Sequence, residues 1–235
     1  MALKFYPLND LNYEHVHSAD VRISAFSQEV ERAWQLARQQ NSCLFEGTVF
    51  NCVDIQQGFL RIQRMDYGIF YVKNFHPELL QNYDVSVLAV SSITFVGNKV
   101  LIGKRSQNVT QFRGKWETVA SGTLEVDEEL HGSLNQVAIS QLRSEFREET
   151  SLDSALLKNI YLRGLLVDSQ AYTADLIYRS EIEPRDFLGR QEIKVLSTAE
   201  YSSFKLINLR YLRLIPWVAL NLVPTSKFIL KFLKL

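Results

Sequence analysis

Apolar and polar positions change rhythm several times along this chain, and the changes mark out its elements. After a mixed stretch over residues 1–26, Val30, Ala33, Trp34 and Ala37 recur at helical spacing. They predict a helix from about Gln28 to Gln40, with Ser27 as its candidate cap and Asn41-Ser42 as its end. Two strand-like runs follow, 43–55 and 59–65, joined by the turn residues Gln56-Gln57-Gly58. Residues 67–75 are rich in aromatics and read as strand or loop, closed by the break at His76-Pro77. The β-branched run 85–95 reads as a buried strand, and Gly97-Asn98 turns it into a second arm over 99–105. Residues 107–115 are polar and loop-like, and 116–120 form a short strand entering Ser121-Gly122.

The next helix has a clear start. Ser133 followed by Gln136 fits a reciprocal cap, in which each side chain bonds the other residue's backbone N–H. The helix is expected from about Leu134 to Thr150, with Leu134, Ala138, Leu142 and Phe146 as its apolar stripe. Residues 159–167 and 172–181 alternate like paired strands around Ser169-Gln170, and 198–204 read as a short helix or turn. In the tail, 206–235, Phe228, Ile229, Phe232 and Leu233 can share one helix face, with Lys227, Lys231 and Lys234 on the other. Packing on the core or on a second subunit is one reading of that face, and a membrane-surface helix is another. No internal repeat, low-complexity segment or proline- or glycine-rich linker divides the chain.

A length of 235 residues suits one core domain with added N-terminal and C-terminal structure. Hydrophobic residues make up 46%, enough for a sizeable core. Lys+Arg and Asp+Glu both number 26, which argues against a general nucleic-acid or anionic-membrane binder, since both need a basic excess. Cys43 and Cys52 lack the spacing of a zinc site or a disulfide framework and read as buried free thiols. Residues 1–10 lack the basic-then-apolar pattern of a signal peptide, and no apolar stretch nears the roughly 20 residues of a membrane span. The expectation is a cytoplasmic protein without stable membrane insertion.

Candidate chemistry sits at the end of the second helix, Ser144-Glu145-Phe146-Arg147-Glu148-Glu149-Thr150. Positions three and four apart share a face, so Glu145, Glu148 and Glu149 project together while Phe146 turns inward. Each like-charge pair costs a few tenths of a kcal/mol, and the dipole at the helix C-terminus opposes the charges further. A bound divalent cation would remove the conflict, and hard carboxylate oxygens suit Mg²⁺ or Mn²⁺. The bland alternative is a solvated acidic face paired with Arg143 and Arg147.

The surrounding residues resemble the Nudix hydrolase family, whose box reads Gly-x5-Glu-x7-Arg-Glu-U-x-Glu-Glu-x-Gly-U, with U bulky and apolar. Gly122, five residues and Glu128 match its first half. Glu145-Phe146-Arg147-Glu148-Glu149-Thr150 and Leu152 match its second half. A hairpin ending in Gly103-Lys104-Arg105-Ser106 precedes the box, and Gly114-Lys115-Trp116 leads to Ala120-Ser121-Gly122, where the family often has Pro-Gly-Gly. There are three departures. Fifteen residues instead of seven separate Glu128 from Ser144, an insertion of eight that the cap at Ser133 places in the loop. Ser144 replaces the arginine that helps orient the glutamates, so Arg143 or Arg147 must substitute or the role is lost. Ser151 replaces the late glycine and must accept its helix-ending geometry.

The resemblance implies an α+β, Nudix-type α/β/α sandwich with a mixed β-sheet. Residues 1–83 would be an N-terminal α/β extension packed on the core, 84–205 the Nudix domain and 206–235 a helical tail. Trp34, Leu44-Phe45-Glu46-Gly47 and Asp66-Tyr67 are similar to the extension of the branch that cleaves UDP-sugars, although Trp34 and Phe45 also suit a core. The implied activity is Mg²⁺- or Mn²⁺-dependent hydrolysis of a nucleoside diphosphate linked to another moiety, with nucleotide sugars first among substrates. Glu148 and Glu149 are the implied metal ligands, Glu145 the base or third ligand, and the Gly122 carbonyl an added ligand. Glu128 reads as a supporting residue and Glu192 as a further acid from a later loop. Arg105 and Arg113 are candidates for pairing with substrate phosphates. The partner expected is a small nucleoside-diphosphate substrate rather than a nucleic acid, with the protein a monomer or homodimer. The alternative is a catalytically inactive Nudix-fold module that senses a nucleotide or binds a protein.

Overall fold

The computed structural model describes residues 3–8, 10–16, 20–41, 44, 46–56, 59–109, 111–126, 133–188, 200–214 and 221–232. Along the chain these form β1 (Leu3–Pro7), β2 (Asn12–His15), α1 (Gln28–Gln40), β3 (Thr48–Gln56), β4 (Phe59–Asp66) and α2 (Tyr67–Phe75). Then come β5 (Val87–Val96), β6 (Lys99–Arg105), β7 (Trp116–Thr118), β8 (Ser121–Thr123) and α3 (Leu134–Thr150). The last are β9 (Lys158–Asp168), β10 (Thr173–Ile182), α4 (Pro184–Leu188), β11 (Tyr201–Asn208), α5 (Leu209–Leu214) and α6 (Pro224–Phe232). The class is mixed α+β: among the described residues antiparallel ladders dominate, and β2 pairs parallel with β4. No helix among the described residues is long and apolar enough to cross a membrane.

The chain divides into two compact units. One comprises Met1–Ala89, Thr123–Ala138 and Gly164–Leu176, the other Val90–Gly122, Ile139–Arg163 and Ile177–Leu235. In the first, β3 and β4 pair antiparallel from Thr48 opposite Asp66 to Gln56 opposite Phe59, and β2 runs parallel to β4. Leu3 of β1 lies opposite Asp168 of β9. The core joins Val30, Trp34 and Ala37 of α1 to Ile69, Phe70 and Val72 of α2, over Val49, Met65 and Val87.

Two elements of this unit differ from the sequence pattern. Residues 67–75 are the helix α2 rather than strand or loop. Gly68, Ile69, Phe70, Val72 and Lys73 are all buried, so burial wraps most of the helix and leaves no one-sided period to read. Lys73 is held inside because its Nζ donates to the carbonyls of Leu80 (2.6 Å) and Tyr83 (2.9 Å). The strand expected over 43–55 begins at Thr48. Before it, the Leu44 N–H turns back to the Asn41 carbonyl at 3.2 Å. Cys52 is a buried free thiol that burial pushes up to about 12, while Cys43 and Phe45 lie outside the described residues.

In the second unit β5 and β6 form the expected hairpin, with Phe95 opposite Val100 and Gly97 at φ 58° in the turn. β6 then pairs with β7 on one side and β11 on the other. Of the helix or turn expected over 198–204, residues 201–204 are instead the start of β11, and 198 and 199 lie outside the described residues. Tyr201 and Phe204 are buried against a strand whose free edge needs a partner, and the ladder with β6 satisfies both. The tail packs on β7 of its own unit. Val223 donates its N–H to the Trp116 carbonyl at 2.9 Å, and Ser226 Oγ accepts the Thr118 N–H at 2.9 Å. Ile229 and Leu230 of α6 are buried while Lys227 and Lys231 are exposed, as the amphipathic pattern predicts. The side chains of Phe232, Leu233 and Lys234 lie outside the described residues.

A candidate active site of acidic side chains

α3 starts at the expected cap. Ser133 N–H donates to Gln136 Oε1 at 2.9 Å, and Gln136 N–H donates to Ser133 Oγ at 3.3 Å. Leu134, Ala138, Leu142 and Phe146 are fully buried, which fixes the helix rotation and therefore the direction of its last turn. Glu149 is thereby buried at 2% exposure, Glu145 is half-buried and Glu148 is exposed. Ser151 ends the helix at φ 56°, taking the left-handed conformation expected of it.

Each glutamate is oriented by its own donor. Gln141 Nε2 donates to Glu145 Oε1 at 2.8 Å, and Ser144 Oγ donates to Glu148 Oε1 at 2.7 Å. The Ser121 N–H donates to Glu149 Oε1 at 3.3 Å. Ser144, the residue in place of the box arginine, thus orients a glutamate itself. Arg143 does not take over that role, because its guanidinium donates to the carbonyls of Ser154 (2.6 Å) and Leu157 (3.1 Å).

The strands bring further residues to Glu149. In the β6 ladders Gly103 lies opposite Glu117 of β7, and Arg105 opposite Tyr201 of β11. Residues two apart share a sheet face, so Gly103, Arg105, Glu117 and Tyr201 project from the same side. Arg105 Nη1 pairs with Glu117 Oε1 at 2.5 Å, and its Nε donates to the Gln111 carbonyl at 3.1 Å. The Tyr201 hydroxyl contacts Glu117 Oε1 and reaches Glu149 Oε1 at 3.2 Å. A Cβ at position 103 would overlap the Tyr201 ring, so this position has room only for glycine.

The electrostatics follow from crowding acids in a dry place. Burial, and then the charges of Glu117, Glu145 and Glu200, hold the Glu149 carboxyl well above the usual carboxylate range. Burial followed by Glu149 and Glu117 raises the Tyr201 phenol well above its ordinary value. Glu200 is exposed as a residue, but crowding that withdraws its carboxyl from water raises it as well; Arg105 opposes this and Glu117 and Glu148 add to it.

Gly122 lies against Glu145: a Cβ there would stand within 2.8 Å of Glu145 Cγ and overlap its carboxyl group. The structure therefore gathers Gly122, Glu145 and Glu149, with Glu148 on the same helix at the exposed edge. It places Arg105 in an ion pair with Glu117, already engaged. Arg113 is exposed, with its Nε on the Val109 carbonyl at 2.8 Å. Glu128 and Glu192 lie outside the described residues. Glu117, Glu200 and Tyr201 belong to no motif in the sequence. Only Glu117 left a trace there, as the neighbour of the flanking Trp116.

One observation bears directly on a metal. Glu149 Oε2 is buried and has no hydrogen-bond partner among the described residues, whereas buried carboxylate oxygens are ordinarily satisfied. Among the described residues no three His, Cys, Asp or Glu side chains are arranged to hold an ion. The all-oxygen donors present, Glu149 and Glu145 beside the Gly122 backbone, nevertheless fit Mg²⁺ or Mn²⁺. Mg²⁺ commonly takes one or two carboxylates and completes its shell with water and substrate phosphates. In the first unit, a cavity of about 290 Å³ is lined by Arg22, Trp34, Glu46 and Asp66 among others. Its ionised groups pair locally, Arg22 with Asp66 and Arg38 with Glu46.

No family model matches the sequence, and no curated protein matches it. Similar solved structures include the MutT protein from Methanosarcina mazei Go1, 13% identical, covering 63% of this chain and 93% of that one, TM-score 0.44. A Nudix hydrolase from Nitrosomonas europaea is 20% identical, covering 64% of this chain and 70% of that one, TM-score 0.39. The Nudix domain of Shewanella oneidensis NrtR, complexed with ADP ribose, is 19% identical, covering 66% of this chain and 94% of that one, TM-score 0.40.

Proposed function

We propose that this chain is a Nudix-type hydrolase that cleaves the diphosphate of a nucleoside diphosphate joined to another moiety, using Mg²⁺ or Mn²⁺. The observation that carries the reading is the buried, unpartnered Glu149 Oε2 beside Glu145, in a helix whose residues match the glutamate half of the box. Glu148 and Glu149 would hold the cation, with the Gly122 carbonyl as an added ligand. Bound there, it would neutralise phosphate charge and favour ionisation of the attacking water.

The chain's own residues supply the rest. Gln141 fixes the Glu145 carboxylate, which would take the proton of the attacking water or serve as a third ligand. Water oxygen forms a bond to one phosphorus, the bond from that phosphorus to the bridging oxygen breaks, and the departing phosphate carries away the electron pair. Arg113 is the proposed phosphate partner, since Arg105 would first have to leave Glu117. Glu192 is proposed as the acid of a later loop. A UDP-sugar is the first substrate proposed, giving a nucleoside monophosphate and a sugar phosphate.

The test is incubation with UDP-sugars, ADP-ribose and NADH in Mg²⁺ or Mn²⁺, followed by ³¹P NMR. Conversion of a diphosphate into two monoesters is expected. No turnover of any of them by pure folded protein would count strongly against the proposal. A second reading, a non-catalytic module that binds a nucleotide, is favoured by the lack of a three-ligand cluster among the described residues and by the exposure of Glu148. It predicts binding without cleavage. Metal-dependent turnover that Glu149→Gln abolishes would eliminate it.

A further inference from the structure

We propose that Tyr201 is a positioning residue for Glu149, holding Oε1 so that Oε2 remains free for a divalent cation. The inference rests on the hydrolase reading above and names a residue outside the box. Among the described residues, the donors that reach Glu149, the Ser121 N–H and the Tyr201 hydroxyl, converge on Oε1, and Oε2 has none. A buried carboxylate placed only for stability would gather donors on both oxygens. Two donors on one oxygen fix the carboxylate plane and leave the other, buried oxygen without a competing donor among the described residues.

The hydroxyl is itself held in place. The Tyr201 ring is fully buried, lies against Gly103 where any Cβ would overlap it, and packs on Phe204 with ring centroids 5.3 Å apart. Arg105 donates to Glu117, and its own Nε is fixed by the Gln111 carbonyl. Glu117 therefore has a donor besides the phenol, and the phenolic oxygen is held between Glu117 Oε1 and Glu149 Oε1. Three strands, β6, β7 and β11, thus hold one oxygen atom on α3. Groups that orient a metal ligand in this way commonly change metal affinity by about 10- to 100-fold when lost.

The test uses Mn²⁺ alone, titrated by EPR into the full chain and into Tyr201→Phe. The variant keeps the ring against Gly103 and removes only the hydroxyl. Its melting temperature in EDTA should stay near that of the parent, while its Mn²⁺ affinity falls about 10- to 100-fold. Equal Mn²⁺ affinity in parent and variant would overturn the role of Tyr201 and leave the hydrolase reading standing. A parent chain that binds no Mn²⁺ would overturn the metal reading, and this inference with it. Crystals of the parent soaked in Mn²⁺ give an answer that needs no variant. Mn²⁺ on Oε2 with the Tyr201 hydroxyl on Oε1 is expected, and Mn²⁺ on Oε1 would overturn the proposal.

Discussion

Gly122→Ala separates a glycine that shapes the site from one that only shapes the backbone. The φ of Gly122 lies outside the left-handed region, so alanine meets no backbone strain there. What it meets is Glu145, whose Cγ would lie 2.8 Å from the new methyl and whose carboxyl group would lie closer still. Ordinary contact begins near 3.4 Å, so the carboxyl group has to retreat. The displacement is about 1 Å or more, and a shift of that size in a catalytic group costs on the order of 100-fold in rate, about 2.7 kcal/mol. Stability should change little. Glu145 is a half-buried helix side chain that can rotate away, giving up its Gln141 hydrogen bond at about 1 kcal/mol. The assay compares kcat/KM on the best substrate with the melting temperature in EDTA. A further Glu145→Gln should add less than about tenfold, because both changes act on the same carboxylate. A folded Gly122→Ala with parental kcat/KM would refute this account of the glycine.

Three other outcomes follow from the same geometry. Because burial and neighbouring carboxylates raise the Glu149 pKa, its contribution to metal-free stability is fully present below pH 4.5 and is lost as pH rises toward the raised value. Melting in EDTA should therefore fall less steeply with pH in Glu149→Gln than in the parent, and identical slopes would contradict the assignment. Ser151→Gly should stabilise the chain by about 0.5–1 kcal/mol, since it relieves a left-handed serine at φ 56°; urea denaturation measures it, and a loss of stability would argue against the strain. Ser133→Ala should cost about 1 kcal/mol by removing the hydroxyl half of the α3 cap, read in the same urea titration.

α3 was legible in the sequence because local signals agreed. The Ser133–Gln136 cap and a four-residue apolar period specify one helix with one buried side. The hairpin at Gly97 was legible for the same reason, as a turn signal between β-branched runs. α2 was not, because a helix buried on most sides has no polar face to set its period. β11 was hidden because its partner, β6, lies almost 100 residues earlier, as the pairing of Tyr201 with Arg105 shows. The same separation hid the acids around Glu149. Nothing in the sequence placed Tyr201 beside Glu117, and only the strand register brings them together. Arg105 shows the converse limit: its charge was visible, but its commitment to Glu117 was not.

The central claim is that Glu149 holds a cation for diphosphate hydrolysis. Its most direct test follows a UDP-sugar by ³¹P NMR with Mg²⁺, in the parent chain and in Glu149→Gln. Two phosphate monoester signals that appear with the parent, vanish with EDTA and stay absent with the variant are the predicted result. Cleavage of equal rate by both proteins, or by neither, would contradict it.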